Sequence, residues 1–196
     1  MQTDYIKNID NAERRMISEQ VELREENEQR FMEGYAFKFG AIADLGSFTE
    51  EIAPGAADGV MNDDVRGLFN HDPNLVLGRN KAGTMTLSVD AVGMRYAIKH
   101  NPNDPDHVSV SEKIKRGDVT QSSFAFRVKD DKWETRNGKE HRTILKFSRL
   151  IDVSPVTYAA YNDATVALRS LSNIVNNKKD LAEMDQQIMR QELNLK

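Results

Sequence analysis

Large apolar residues alternate with polar ones along much of this chain, a two-residue rhythm that predicts half-buried strands. It is clearest at Phe31–Phe39, where Tyr35, Phe37 and Phe39 fall on one side. Ile17, Val21 and Leu23 precede it across the charged stretch Arg24–Arg30, so Met16–Phe39 reads as a hairpin. Gly40–Gly59 is rich in turn residues, and Asp64–Asp72 carries Leu68, Phe69 and His71 before Pro73 ends it. Leu75–Val92 reads as two strands around a turn at Asn80–Gly83, and Gly93–Lys99 continues with Met94, Tyr96 and Ile98 in register. Gln121–Val128 is a further strand. Trp133–Leu150 predicts a hairpin turning at Asn137–Gly138, a favoured type I′ pair. Ile151–Tyr161 is extended, and Pro155 inside it marks an edge or an end.

The helical period is rarer. Asn101–Asp106 carries two prolines and reads as a loop, followed by a short helix over Val108–Arg116 that Gly117 stops. Beyond Leu168, apolar residues from Leu171 to Leu193 recur at helical spacing among polar ones. The pattern predicts a β-rich α+β fold: a small closed β-barrel flanked by a few helices. The expected organisation is a flexible N-terminal segment 1–15, a globular domain 16–168, and a helical or disordered tail 169–196. No internal repeat or low-complexity tract is visible.

Composition narrows the class. At 196 residues the chain is of one-domain size. Its 30% charged and 39% hydrophobic residues are those of an ordinary globular protein. A formal net charge of −4 offers no basic footprint for nucleic acid. The absence of cysteine excludes disulfides and thiolate metal sites and suits a reducing cytosol. Met1–Arg15 is too polar for a secretory signal, and no apolar run reaches the length of about eighteen residues that a membrane helix needs.

Four histidines are available for chemistry. His100 and His107 flank the Pro-rich loop with Asp104 and Asp106 between them, a weak metal pattern better read as a solvated loop. His141 follows the Gly138–Glu140 turn and reads as a surface residue. No phosphate-cradling glycine loop is present. His71 ends an apolar run, where a structural histidine is the commoner reading. In Gln121–Phe126, alternation puts Ser122 on the core face with Phe124 and Phe126. Ser123 falls on the other face beside Ala125, a small neighbour that leaves room for a substrate. In Leu150–Tyr161, Ile151 and Val153 face one side, Asp152 and Ser154 the other. Each segment alone has a bland explanation: a local backbone contact for the serines, an exposed or ion-paired acid for Asp152. Together they allow a Ser–His–acid site, in which a base activates the hydroxyl and an acid fixes the imidazole tautomer.

Several stretches in order then carry a family resemblance. They are Glu33-Gly34-Tyr35-Ala36, Ile52-Ala53-Pro54-Gly55-Ala56, Leu68-Phe69-Asn70-His71-Asp72-Pro73 and Leu77-Gly78-Arg79. Ile114-Lys115-Arg116-Gly117-Asp118 leads into Gln121-Ser122-Ser123-Phe124-Ala125-Phe126, and Asp152-Val153-Ser154-Pro155-Val156-Thr157-Tyr158 precedes Ala160-Tyr161. Over Glu33–Ser170 the chain resembles the tailed-phage prohead proteases, distant relatives of the herpesvirus assemblins. The resemblance implies an assemblin-like fold and a serine endopeptidase that cleaves scaffold and capsid-protein segments inside the procapsid, with self-cleavage. It implies His71 as general base, Ser123 as nucleophile and Asp152 as third member, with Asp72 a competing acid beside His71. In the assemblins that third place is a histidine. One departure is Ala159, where the family usually has proline before the Ala-Tyr pair; it touches no proposed catalytic group.

The implied partners are the scaffold and major capsid proteins as substrates, with a homo-oligomer also allowed, and neither nucleic acid nor membrane. No metal or cofactor is expected, and the expected location is the procapsid interior within the bacterial cytoplasm. Either end of the chain is a candidate for trimming. A catalytically silent assembly or scaffold module of the same fold is the alternative, and a tube or tail component a third. The joint presence of His71, Ser123 and Asp152 argues against both.

Overall fold

The structure, a computed structural model, describes residues 12–17 and 21–158 and, beyond them, Leu171, Ser172, Val175, Asn176, Lys179, Glu183 and Met184. The chain divides into two units, Met1–Asp163 and Ala164–Lys196. In the second unit the seven described residues are helical, and the remainder of the expected tail 169–196 lies outside the described residues.

Eleven strands are described in the first unit. They are β1 (Glu13–Ile17), β2 (Glu22–Glu26), β3 (Gln29–Lys38), β4 (Ala43–Asp44), β5 (Phe48–Ile52) and β6 (Arg66–Phe69). Then come β7 (Asp72–Arg79), β8 (Met85–Val89), β9 (Gly93–Lys99), β10 (Gln121–Arg136) and β11 (Lys139–Val156). One helix, α1 (Pro105–Arg116), stands between β9 and β10. Its ends are set chemically. The Asp104 carboxylate accepts the Asp106 N–H, Pro105 fills the first helical turn, and Gly117 closes it in the left-handed region at φ 81°.

The strands pair into two sheets. One runs β1–β10–β11–β5–β4, with β6 joined to β11 and β7 to β6. The other runs β2–β3–β9–β8. This corrects the closed barrel expected from the sequence. A barrel requires a continuous ladder with no free edge, whereas here β2 and β8 end one sheet and β1 and β4 end the main path of the other. The Met16–Phe39 hairpin is also redrawn. Its ladder spans only β2 and β3, turning at Asn27–Glu28, while β1 crosses to pair antiparallel with β10. Residues 13–15, assigned by sequence to the N-terminal segment 1–15, are therefore part of a strand, and residues 1–11 lie outside the described residues.

The long β10–β11 hairpin is the axis of the fold. It turns at Asn137–Gly138, both with positive φ, as that dipeptide predicts. Register shifts from Ala125 to Asp131 bend it, and its two halves serve different neighbours. The first part of β11 pairs in parallel with β5, and the last part pairs in parallel with β6.

Phe124 and Phe126 of β10, Phe37 of β3 and Phe147 of β11 are buried together. The Phe37–Phe124, Phe124–Phe126 and Phe126–Phe147 ring centroids lie 5.1, 4.7 and 4.9 Å apart. Each such side chain contributes about 1.5–3 kcal/mol by burial. These rings fix which face of β10 looks into the core. His141, expected at the surface, is buried instead. It sits on β11 beside β5, with Nδ1 2.8 Å from the Thr49 hydroxyl and Nε2 3.1 Å from a Glu51 carboxylate oxygen. His107 is likewise buried, on α1 rather than in a solvated loop.

Gly93 opens β9 where it runs against the irregular end of β3. A Cβ there would lie 2.1 Å from the Phe37 carbonyl oxygen and 2.8 Å from the Lys38 Cα. Since both obstacles are backbone, Gly93→Ala is expected to lower stability by about 1–3 kcal/mol. The urea unfolding midpoint reads this directly.

Candidate active site

Strand register assembles the site. In the β10–β11 ladder Ser123 stands opposite Ser154, and Ala125 stands opposite Asp152. Cross-strand partners share a face, so Ser123, Ser154 and Asp152 form one small polar patch beside the Ala125 methyl. The opposite face of β10 is taken by Phe124 and Phe126. Ser122 lies on that aromatic side and is fully buried, its hydroxyl 2.7 Å from the Tyr96 hydroxyl. Burial pushes the Tyr96 phenol well above its ordinary pKa, so the pair stays neutral and structural.

His71 reaches the patch from the tip of the β6–β7 hairpin. Phe69 pairs with Asp72, which leaves Asn70 and His71 as a two-residue turn with φ of 55° and 58°. Both central residues are left-handed, the pattern of a type I′ turn. Asn and His are among the few non-glycine residues enriched there. Asn70 pins the turn to the end of β11 and to the residue just beyond it. The Asn70 N–H donates to the Pro155 carbonyl at 3.0 Å, and the Asn70 side-chain oxygen accepts the Thr157 N–H at 2.9 Å. The parallel pairing of Arg66 with Asp152 and of Gly67 with Val153 sets the hairpin over the patch.

The three side chains expected from sequence meet there. His71 Nδ1 lies 2.5 Å from Asp152 Oδ1, and His71 Nε2 lies 2.6 Å from Ser123 Oγ. All three are well covered, with Ser123 only 1% exposed. This corrects one expectation: Ser123 and Ala125 do not face open space, because both sides of β10 are covered here and β1 lies along its edge. Met16 of β1 is the ladder partner of Ser123, and the Ser123 hydroxyl is 2.9 Å from the Arg15 carbonyl oxygen.

The competing acid, Asp72, has other partners. Asp72, adjacent to His71 in sequence, turns away and accepts the Asn74 backbone N–H and side-chain amide at 2.8 and 2.9 Å. Two supporting residues were not singled out from the sequence. Ser154, fully buried, donates to Asp152 Oδ1 at 3.0 Å and so orients the acid. Its position two residues along the strand from Asp152 was the available signal. Asn70 anchors the histidine turn, and its signal was the left-handed tendency of an Asn-His pair. An imidazole held on one nitrogen by a carboxylate and facing a hydroxyl with the other can accept that hydroxyl's proton. Among the described residues no group of three or more His, Cys, Asp or Glu side chains is placed to hold a metal ion. No helix among them is long and apolar enough to cross a membrane.

The family described as caudovirus prohead serine protease matches residues 18–180 of the chain. No curated protein matches it. Among solved structures, that of the bacteriophage T4 capsid assembly protease, gp21, is similar at 12% identity and a TM-score of 0.48. The match covers 74% of this chain and 96% of that one.

The Ser122–Tyr96 pair gives a direct check on which serine is structural. Ser122→Ala or Tyr96→Phe alone strands one buried hydroxyl and is expected to cost about 1–3 kcal/mol. The double replacement is expected to cost clearly less than the two single costs added together. A double-mutant cycle from urea denaturation measures the coupling.

Proposed function

We propose, for a chain that belongs to the caudovirus prohead serine protease family and is a capsid-maturation protease, that Ser123 is its nucleophile, His71 its general base and Asp152 the acid that holds the base. The observation that carries this reading is the unbroken chain of contacts Asp152–His71–Ser123, each at hydrogen-bond length. Its substrates are segments of the scaffold and the major capsid protein, its place of action is the procapsid interior, and it trims itself.

The mechanism follows from the protons. Asp152 accepts the Nδ1–H of neutral His71, which leaves Nε2 free to accept. Ser123 Oγ attacks the scissile carbonyl carbon as its proton passes to Nε2, giving a tetrahedral oxyanion and an imidazolium stabilised by Asp152. The C–N bond then breaks, and the imidazolium returns its proton to the leaving amine. What remains is an ester on Ser123. Water attacks that ester while giving a proton to Nε2, the C–Oγ bond breaks, and the proton returns to Ser123. Every step uses this chain's side chains, the substrate and water. Ser154 keeps Asp152 aimed at Nδ1 through its own hydroxyl.

Ser123→Ala is expected to lower the turnover number on the order of 10⁶-fold while the chain still folds. Co-expression with the scaffold reads the first, and continued scaffold processing by that variant would refute the assignment. A fluorophosphonate should label Ser123, not Ser122, with peptide mapping as the readout. Asp152→Asn keeps the shape of the site but lets the imidazole carry its proton on the wrong nitrogen. A loss of about 10⁴-fold in turnover number is expected, measured on the same substrate.

A further inference from the structure

β1 runs directly beside the candidate nucleophile. It pairs with β10 at the outer end of the sheet, antiparallel, with Met16 opposite Ser123. The Arg15 carbonyl oxygen is 2.9 Å from Ser123 Oγ. The peptide bond at the candidate nucleophile is therefore Arg15–Met16. The hydroxyl has one proton and two acceptors in reach, His71 Nε2 at 2.6 Å and this carbonyl. A carbonyl that takes the proton competes with the base for it.

The Arg15 side chain enters a built pocket. Its Nε and Nη2 donate to both oxygens of Glu50, at 2.6 and 2.9 Å, and its guanidinium sits 5.6 Å from the centre of the Phe126 ring. Glu50 is 2% exposed. Two residues earlier on the same strand, Glu13 accepts from Arg142 at 2.7 Å. Arg142 also binds Glu50 at 3.0 Å and Asp131 at 2.6 Å. β1 brings both a cation and an anion to this lane, because Arg15 Nη2 also donates to Glu13 at 2.6 Å. Emptying the lane would take from the buried Glu50 its bidentate guanidinium, and a buried carboxylate left short of a cation is strongly unfavourable.

The geometry points to the β10 edge now held by β1 as the substrate lane, with Glu50 and Phe126 as the pocket for an arginine at the residue that contributes the scissile carbonyl. This rests on the serine endopeptidase reading above and gives it a substrate class: extended segments of the pattern Glu-x-Arg, cut after the arginine. Main-chain pairing supplies affinity, as in other strand-addition sites, and the alternate side chains supply specificity. Glu13 and Arg142 add an acid preference two residues before the cut. β1 is then an internal occupant of the lane that a substrate must displace.

The test uses the full chain and a synthetic peptide of residues 10–20, with and without alanine in place of Arg15. Cleavage between Arg15 and Met16, read by mass spectrometry, is expected, with kcat/KM lower by about 10²-fold on the alanine peptide. Glu50→Gln in the enzyme should lower cleavage of the arginine peptide and flatten that preference. Arg15→Ala in the enzyme should instead raise cleavage of the added peptide, because it weakens the internal competitor. A purely structural ion pair makes both enzyme variants fall together, and that result overturns the proposal. So does a Ser123 that takes a fluorophosphonate while the two peptides are cut equally or not at all. The peptide comparison on the unaltered enzyme stands even if a variant does not fold. A Ser123 that takes no label, in the unaltered enzyme or in Arg15→Ala, instead removes the endopeptidase reading beneath it.

Discussion

The register of β10 against β11 is the constraint on which the rest of the site depends. Side chains on a strand alternate, so a slip of one residue would exchange the two faces. Ser123 would move to the aromatic side and Ser122 to the histidine. The four clustered phenylalanines make that exchange costly, because it would turn Phe124 and Phe126 out of the core. Which serine faces His71 is thus decided by aromatic packing on the far side of its own strand. Asp152 and Ser154 come with it, since they stand opposite Ala125 and Ser123 in the same ladder.

The candidate base is held by different physics. His71 occupies a left-handed turn position with Asn70 beside it, and residues in such regions persist when their surroundings over-determine them. The bond that Asn70 donates to Pro155 and the one it accepts from Thr157 are that surrounding. They tie the hairpin tip that carries His71 to the strand end that carries Asp152. The third component, the charge network of Glu13, Arg15, Glu50 and Arg142, is buried and mutually satisfied. Removing a single member of such a network costs about 3–5 kcal/mol, which keeps β1 seated beside Ser123.

Local chemistry was legible in the sequence, and long-range pairing was not. Asn137–Gly138 announced its turn, Gly117 its helix end, and the alternation around Ser123 told the two serines apart. The approach of His71, Ser123 and Asp152 rested on three distant segments whose spacing says nothing about convergence, so the family resemblance was needed to connect them. The closed barrel failed because nothing local reveals that β1 leaves its neighbours to join β10, or that β11 divides its length between β5 and β6. His141 was misread because it follows a turn, yet the parallel pairing of β11 with β5 buries it. Arg15 was overlooked for a similar reason. A charged residue near the start of a polar segment looks solvated until the partners arriving from residues 50 and 142 are known.

The order of the parts along the chain has a consequence for synthesis. Histidine arrives first, on a compact hairpin, while the hydroxyl and the carboxylate come from two arms of one much later hairpin that must zip before they face each other. A nascent polypeptide lacks the complete trio until Val156 has cleared the ribosome. Whatever cutting power the trio confers is withheld from growing chains, and translation itself supplies the delay.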